Sequence, residues 1–210
     1  MSSSLYTFGG READALMLQR KFVRYLNSLP GPIVDLGCGR GMFLAELKAA
    51  GYEAIGVDTS AESVAACRAK GLDIVQAGAL EYLESQPNRL GGIFFSHVIE
   101  HLTPSQVVRF FDLAQQALRP GGRLVIVTPN VADLWTMTEV FWLDTTHVRP
   151  YPILLLKKLC EEAGMQPIAS GSHGGGWRAM GRRRVLQYYW RRLIWGSEYG
   201  RPDAYIVAQA

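Results

Sequence analysis

The stretch that decides the fold of this chain reads Ile33-Val34-Asp35-Leu36-Gly37-Cys38-Gly39-Arg40-Gly41. Its first four residues are typical of a buried strand, and the glycines that follow form a loop at the start of a helical pattern. Glycine permits positive φ and lets a ligand lie against bare backbone. The dinucleotide fingerprint needs its third glycine where this chain has Met42, so the spacing disfavours a pyrophosphate ligand.

Strand-like and helix-like patterns alternate along the rest of the chain. Apolar bursts predict seven strands, at residues 32–36, 54–57, 72–76, 92–95, 123–128, 166–169 and 204–208. Helical spacing predicts helices at 12–29, 42–50, 60–70, 79–84, 104–118 and 153–163, with Ser60 and Thr103 as N-caps. This alternation predicts an α/β fold, a doubly wound and mostly parallel sheet with helices on both faces.

Length and composition indicate one domain. A chain of 210 residues with 48% hydrophobic and 20% charged residues is typical of a globular protein of that size. We expect a single domain over residues 1–210, with residues 1–30 as an N-terminal helical cap and 172–202 as a basic, aromatic insertion before the last strand. The sequence has neither a run of about 18 apolar residues nor a signal-type start, so we expect a cytoplasmic location.

Two carboxylates indicate what the glycine loop binds. Asp35 lies in the first strand, and Asp58 follows the second strand, about 20 residues after the loop. An acidic side chain at that second position accepts hydrogen bonds from ribose hydroxyls. A ribose without a pyrophosphate fits S-adenosylmethionine, which we therefore predict as the cofactor.

The chain resembles the class I S-adenosylmethionine-dependent methyltransferase family in residues 34–41, 56–58, 96–102 and 118–122. The resemblance implies a Rossmann-like sheet of strand order 3-2-1-4-5-7-6 with strand seven antiparallel, and methyltransferase activity. Many relatives carry an Asp after strand three that holds the adenine, whereas this chain has Gly78, so we expect backbone groups there to make the adenine contact. We assign cofactor binding to Asp35, Gly37, Cys38, Gly39, Asp58, Thr59, Ala79, Leu80 and His97.

The string His97-Val98-Ile99-Glu100-His101 allows three interpretations. It matches the pattern of inverted zinc peptidases, but that interpretation needs a long helix on a peptidase scaffold. Bacterial and plant small-RNA 2′-O-methyltransferases resemble this chain in a Glu-His pair here and a later histidine, all binding a divalent metal, and His147 could complete such a set. Alternatively, Glu100 and His101 brace the loop after strand four. We favour bracing and predict no metal.

The acceptor site is expected after strand five, where loops face the crevice of such sheets. We predict that His147 acts as base, that Asp144 orients it, and that Arg149 holds an anionic or sugar acceptor. The alternative is that Asp144 and Arg149 pair to pin the loop. This region and residues 8–12 resemble methyltransferase domains of bacterial surface-polysaccharide synthesis, including O-antigen chain-terminating enzymes. That resemblance implies a saccharide acceptor and a role in lipopolysaccharide biosynthesis.

The insertion before the last strand carries most of the basic charge. Residues 172–202 hold seven arginines and one Glu, a net charge of +6 in a chain whose formal net charge is +3. A helix over residues 182–195 would place Arg184, Arg191 and Arg192 on one face, where they could meet a glycan phosphate, a lipid-linked carrier at a membrane or RNA, or form an ordinary solvated face.

Three functions follow from these features. A saccharide or glycan methyltransferase, acting on a hydroxyl or a phosphate, is the first. The alternatives are a metal-dependent RNA 2′-O-methyltransferase and a non-catalytic S-adenosylmethionine-binding subunit. We regard nucleic acid as the less favoured partner, and the sequence leaves the oligomeric state open.

Overall fold

The structure, a computed structural model, describes residues 19–173, 190, 193–194, 196–198 and 200–210. Most of the expected N-terminal cap, the residues 8–12 and the side chains of Arg184, Arg191 and Arg192 lie outside the described residues. None of the described helices is long and apolar enough to span a membrane.

Seven strands form one sheet in the order β3-β2-β1-β4-β5-β7-β6. Their bounds are β1 Ile33–Leu36, β2 Ala54–Asp58, β3 Ile74–Gln76, β4 Leu90–Ser96, β5 Leu118–Pro129, β6 Gln166–His173 and β7 Asp203–Gln209. The first five pair in parallel, while β7 lies antiparallel between β5 and β6. The predicted fold class and strand order are therefore confirmed.

In the described part of the chain, five α-helices connect the strands: α1 Met42–Ala49, α2 Ala61–Ala69, α3 Ala79–Glu84, α4 Pro104–Ala117 and α5 Ile153–Glu162. Short 3-10 helices cover Val23–Tyr25, Ile99–His101 and Phe141–Leu143, and a π-helix covers Thr136–Val140. Both predicted N-caps are confirmed, because Ser60 accepts from the Ser63 amide and Thr103 forms a capping box with Gln106.

The prediction of a continuous helix over residues 12–29 is wrong in its described part. Helix is present at residues 19–20, followed by a turn and the 3-10 helix Val23–Tyr25. The Arg123 guanidinium donates to the Tyr25 carbonyl at 2.9 Å, which provides that carbonyl with a partner outside any helix. Phe22 and Leu26 are nevertheless fully buried, so the apolar spacing correctly identified core residues.

The core lies on both faces of the sheet, as alternation along the strands requires. On one face Phe95 stacks on Phe110 of α4, with ring centroids 4.2 Å apart. On the other face Phe94 packs against Phe43 of α1 at 3.9 Å and against Phe22 at 5.9 Å. Adjacent residues of β4 thus anchor opposite helical layers, which fixes the carboxyl end of β4 where the candidate site is built.

Candidate active site

The conformation of the glycine loop after β1 depends on three glycines with positive φ and on hydrogen bonds to one carboxylate. Gly37, Gly39 and Gly41 have φ of 72°, 53° and 73°. A Cβ on Gly37 would lie 2.4 Å from Val98, whereas a Cβ on Gly39 would project into open space. Asp58 accepts from the Gly39 amide at 2.9 Å and from the Ser60 amide at 2.8 Å. The loop therefore presents bare backbone beside a carboxylate, an arrangement that fits a ligand with a ribose.

The remaining predicted cofactor residues divide into two groups. Thr59 follows β2, and Ala79 and Leu80 begin α3 just after β3, so these residues share the carboxyl edge of the sheet with the glycine loop. His97 instead follows β4 and lines a separate cavity. The structure therefore groups His97 with the acceptor-side residues, although binding by each residue stays a prediction.

Burial raises the pKa values of two predicted cofactor residues at the start of the glycine loop, Asp35 and Cys38. Burial raises the pKa of Asp35 to about 7, and the nearby charge of Asp58 adds to the shift. Burial also raises the pKa of the Cys38 thiol well above its usual range. A thiol in this state is a packing group, because only the thiolate is strongly nucleophilic.

A cavity of about 350 Å³ opens where β4, β5 and β7 meet at this edge of the sheet. Its wall is formed by His97, Glu100, His101, Pro129, Thr136, Val140, Phe141, Leu143, Asp144, His147, Pro202 and Asp203. Two of the three predicted catalytic residues, Asp144 and His147, line it. Arg149 does not, and its guanidinium carbon lies 5.2 Å from the centroid of the Tyr151 ring.

The orientation of His147 is set by a backbone carbonyl. Nδ1 of His147 lies 2.6 Å from the Phe141 carbonyl oxygen. A carbonyl only accepts hydrogen bonds, so Nδ1 carries a proton, and in the neutral ring Nε2 is the nitrogen with the lone pair. Asp144 lies 3.9 Å from Nε2, beyond hydrogen-bond range. The hydrogen bond that orients the ring therefore comes from the Phe141 carbonyl, while Asp144 keeps only a charge contact with it; an orienting role for Asp144 stays a prediction.

Asp144 instead fixes a second histidine through Thr146. The Thr146 hydroxyl donates to Asp144 at 2.6 Å, so it can only accept from Nδ1 of His101, which is 2.8 Å away. In the neutral ring of His101, Nε2 is therefore also the nitrogen with the lone pair. Although burial acts in the opposite direction, these Thr146 hydrogen bonds hold the pKa of Asp144 below its usual value. Asp144 is engaged by Thr146, and a pairing of Asp144 with Arg149 is not what holds this loop.

Glu100 completes a cluster with the two histidines. One ligand atom from each of Glu100, His101 and His147 lies within 4.8 Å of the other two. Glu100 is fully buried; its Oε2 accepts from the Thr128 hydroxyl at 3.2 Å, while its Oε1 lies 3.4 Å from Nδ1 of His97 without a well-formed hydrogen bond. A buried carboxylate beside two imidazole rings is a donor set that suits a divalent cation. The peptidase interpretation fails, because the Ile99–His101 helix has only three residues.

His97 is held between two carboxylates. Its Nδ1 lies 3.4 Å from Glu100 and its Nε2 lies 3.5 Å from Asp203. Burial lowers the pKa of His97, but the contact with Glu100 and the charge of Asp203 outweigh it and raise that pKa to about 9. His97 also has φ of 54°, an unusual conformation for a residue other than glycine. The protonated ring ties the end of β4 to the start of β7.

The cavity wall carries an excess of negative charge. Glu100, Asp144 and Asp203 face a single cation, His97, and no Lys or Arg of the described residues lines the cavity. Burial raises the pKa of Asp203, and the charge of His97 partly offsets that effect. The site therefore favours a neutral or cationic occupant over an anionic one.

Three residues of this site were missed in the sequence: Thr128, Thr146 and Asp203. Thr128 and Thr146 stand in segments recognised as acceptor loops, but nothing in their spacing reveals which carboxylate each hydroxyl meets. Asp203 begins β7, and its place beside His97 depends on the pairing Asp203↔Pro129. That register cannot be derived from hydrophobic alternation alone, so no sequence signal could have located Asp203.

Comparison with known proteins establishes the family. The family described as "Methyltransferase domain" matches residues 11–170. A SAM-dependent methyltransferase from Archaeoglobus fulgidus has a similar solved structure, with a TM-score of 0.82 and 25% identity over 97% of this chain and 96% of that one. This chain belongs to the methyltransferase domain family. Its cofactor is S-adenosylmethionine, and the glycine loop with Asp58 is the part of the structure that fits it.

Two curated relatives are methyltransferases whose names give different substrates. The chain is 34% identical over 151 residues, 67% of its length, to the 2-ketoarginine methyltransferase of Streptomyces arginensis. It is 31% identical over 121 residues, 54% of its length, to the ubiquinone biosynthesis O-methyltransferase of Methylococcus capsulatus. The matches span 44% and 50% of those proteins, so the chain matches about half the length of each relative.

Proposed function

We propose that this chain methylates a hydroxyl oxygen of an acceptor bound in the cavity, and that His147 accepts the hydroxyl proton. The observation that carries the proposal is the hydrogen bond from His147 to the Phe141 carbonyl, which in the neutral ring leaves Nε2 as the basic nitrogen at the cavity wall. Bound S-adenosylmethionine supplies a methyl group already activated on sulfur, so the chain has to align the acceptor and remove its proton.

The charge of the cavity supports a hydroxyl rather than a phosphate acceptor. Three carboxylates and one imidazolium would repel a phosphate, and Arg149 lies outside the wall, against Tyr151. A saccharide hydroxyl is neutral, and a polyhydroxylated ring can donate hydrogen bonds to Asp144 and Asp203. We therefore propose the hydroxyl of a saccharide or glycan as the acceptor, in surface-glycan synthesis and in the cytoplasm.

The test is methyl transfer from labelled S-adenosylmethionine to glycan, RNA and small-molecule fractions, followed by variants on the accepting fraction. We expect His147→Ala to lower kcat at least about a hundredfold with donor affinity unchanged, because a positioned base contributes about 10² to 10⁴ in rate. Arg149→Lys is the comparison variant, since it keeps charge but loses bidentate geometry. We expect it to retain activity; a large loss would favour the phosphate acceptor instead.

A second candidate is a metal-assisted O-methyltransferase, the class that includes the RNA 2′-O-methyl interpretation. The cluster of Glu100, His101 and His147 favours it, because these three side chains would hold the ion. A bound divalent ion would lower the pKa of an acceptor hydroxyl. With the ion held at Nε2, His147 would be a ligand and could not act as the base.

Calorimetric titration with Mn²⁺ and Mg²⁺, in the absence of acceptor, separates the two candidates. Under the base mechanism the chelator EDTA leaves activity unchanged and His101→Ala has little effect on metal uptake. Under the metal mechanism, EDTA abolishes turnover and added Mn²⁺ restores it. His101→Ala then shows no metal binding in the calorimetric titration. Cofactor binding, measured with S-adenosylhomocysteine, should be the same in either case.

A further inference from the structure

One oxygen of the Asp144 carboxylate is left without a hydrogen bond at the cavity wall. Oδ1 accepts from the Thr146 amide at 2.8 Å and from the Thr146 hydroxyl at 2.6 Å. Within the part of the chain that the structure describes, no group donates a hydrogen bond to Oδ2, which lies 3.9 Å from Nε2 of His147. The Asp144 side chain is 25% exposed, so Oδ2 is available to a molecule in the cavity.

The other two carboxylates of the cavity wall are turned towards protein groups. Glu100 is fully buried, accepts from the Thr128 hydroxyl at 3.2 Å and lies 3.4 Å from the His97 ring. Asp203 lies 3.5 Å from the same ring, and its side chain is only 13% exposed. Asp144 is therefore the wall carboxylate best placed to contact an acceptor.

Asp144 and His147 present two hydrogen-bond acceptors to the cavity side by side. Because Nδ1 of His147 donates to the Phe141 carbonyl, Nε2 is the nitrogen with the lone pair in the neutral ring. Although burial acts in the opposite direction, the Thr146 hydrogen bonds hold the pKa of Asp144 below its usual value, so Oδ2 carries no proton at neutral pH. Two acceptors do not bond to each other, and a single hydroxyl has one proton and satisfies only one of them. The pair therefore matches a molecule with two adjacent donors.

We infer that the acceptor is a vicinal diol, with one hydroxyl facing Nε2 of His147 and the hydroxyl on the neighbouring carbon donating a hydrogen bond to Oδ2 of Asp144. The inference rests on the proposed function, because it takes His147 as the base. Hydroxyls on neighbouring carbons lie close enough together to reach two acceptors that are 3.9 Å apart. A saccharide ring carries such pairs, and Val140 and Leu143 line the same cavity, where they offer apolar surface to its C–H groups.

The reaction changes bonds at only one of the two hydroxyls. The oxygen that faces His147 forms a bond to the methyl carbon as the bond from that carbon to the donor sulfur breaks, and the electron pair of the broken bond stays on sulfur. The proton of this hydroxyl moves to Nε2 of His147. Asp144 exchanges no proton; its hydrogen bond fixes which hydroxyl faces the base. An acceptor without the second hydroxyl leaves Oδ2 without a donor and should react more slowly.

The experiment measures transfer of labelled methyl from S-adenosylmethionine to methyl hexopyranosides and to their singly deoxygenated analogues. A second pair of probes, catechol and phenol, tests whether the diol belongs to a sugar or to an aromatic ring. The test variant is Asp144→Asn, which keeps one oxygen for the Thr146 hydrogen bonds and replaces Oδ2 by an amide nitrogen that only donates. The control is Glu139→Gln, since Glu139 is an exposed carboxylate of the π-helix Thr136–Val140 and does not line the cavity. All three proteins should bind S-adenosylhomocysteine alike.

We expect the parent and Glu139→Gln to show a kcat/KM about 10 to 100 times higher for a diol glycoside than for the analogue without the neighbouring hydroxyl. In Asp144→Asn this preference should disappear, because only the diol uses Oδ2. If Asp144→Asn slows both probes equally, Asp144 acts on His147 alone and the inference is overturned. Equal turnover of diol and analogue by the parent, or transfer to none of the probes, overturns it too. The same dependence on Asp144 with catechol alone would retain the diol and overturn the saccharide acceptor of the proposed function.

Discussion

At the scale of single residues, Asp35 is a carboxyl whose ionised form is destabilised by burial in the folded chain. It lies 4% exposed in the centre of β1, and burial raises its pKa from 3.8 to about 7, with the charge of Asp58 adding to the shift. An acid with a raised folded-state pKa binds its proton more tightly when folded. Its contribution to stability therefore falls as pH rises from about 4 to about 7 and stays low above that range.

We predict that Asp35→Asn removes this loss of stability. Relative to its value at pH 4, the stability advantage of the Asn variant should grow by about 2 to 4 kcal/mol by pH 8, because one pKa unit corresponds to about 1.4 kcal/mol. Urea unfolding across this pH range, without cofactor, measures it. Parallel pH profiles for the parent and the variant would contradict the assignment.

The sequence predicted His147 as the base but could not show how the ring is held. A histidine in an acceptor loop of this sheet is visible in the chain, whereas its partner, the Phe141 carbonyl, is a backbone atom. The direction of that carbonyl depends on the 3-10 helix Phe141–Leu143, which has no strong sequence signature. The acidic neighbour Asp144 was the obvious side-chain partner and proved to bind Thr146.

At the scale of elements, periodicity and caps predicted most of what the structure contains. All seven strands and the helices α1 to α5 appear within a few residues of their predicted bounds. The largest boundary error is β5, which begins at Leu118 rather than 123 because Leu118 pairs with Leu90 before an irregularity in the ladder. Such a pairing joins segments distant in sequence, and local pattern carries no information on it.

The N-terminus of α4 offers a test of the capping argument. The Thr103 hydroxyl oxygen accepts from the Gln106 backbone amide. The Gln106 side-chain oxygen in turn accepts from the Thr103 backbone amide at 2.9 Å. We predict that Thr103→Ala lowers the free energy of unfolding by about 1 kcal/mol, because α4 loses a partner for one of its first amides. Denaturant unfolding gives the value. Thr103→Ser retains the hydroxyl and should stay near the parent; an equal loss in both variants would exclude the cap as the cause.

At the scale of the whole molecule, cofactor binding and stability are linked, because the glycine loop forms only in the folded chain. S-adenosylhomocysteine at about 100 times its Kd should raise the free energy of unfolding by about 2.7 kcal/mol.

Asp58→Ala should weaken the binding of S-adenosylhomocysteine by about 1.5 to 3 kcal/mol, since it removes a charged acceptor and leaves the Gly39 amide without its partner. Calorimetry and thermal melts test both values. Asp112→Ala, an exposed carboxylate on α4, is the control; unchanged affinity in Asp58→Ala would refute the ribose assignment.

The placement of β7 was expected from the family resemblance, and it has a consequence for how the chain is made. Until the ribosome has released residues 203–209, β5 and β6 each present an unpaired edge, because the strand that joins them comes later in the chain. Asp203 arrives with that strand, so His97 and the cavity wall lack this partner until residues 203–209 have been made. A nascent chain stalled before β7 therefore has to keep a gap in its sheet protected from other chains, and chaperone capture should be strongest at that stage.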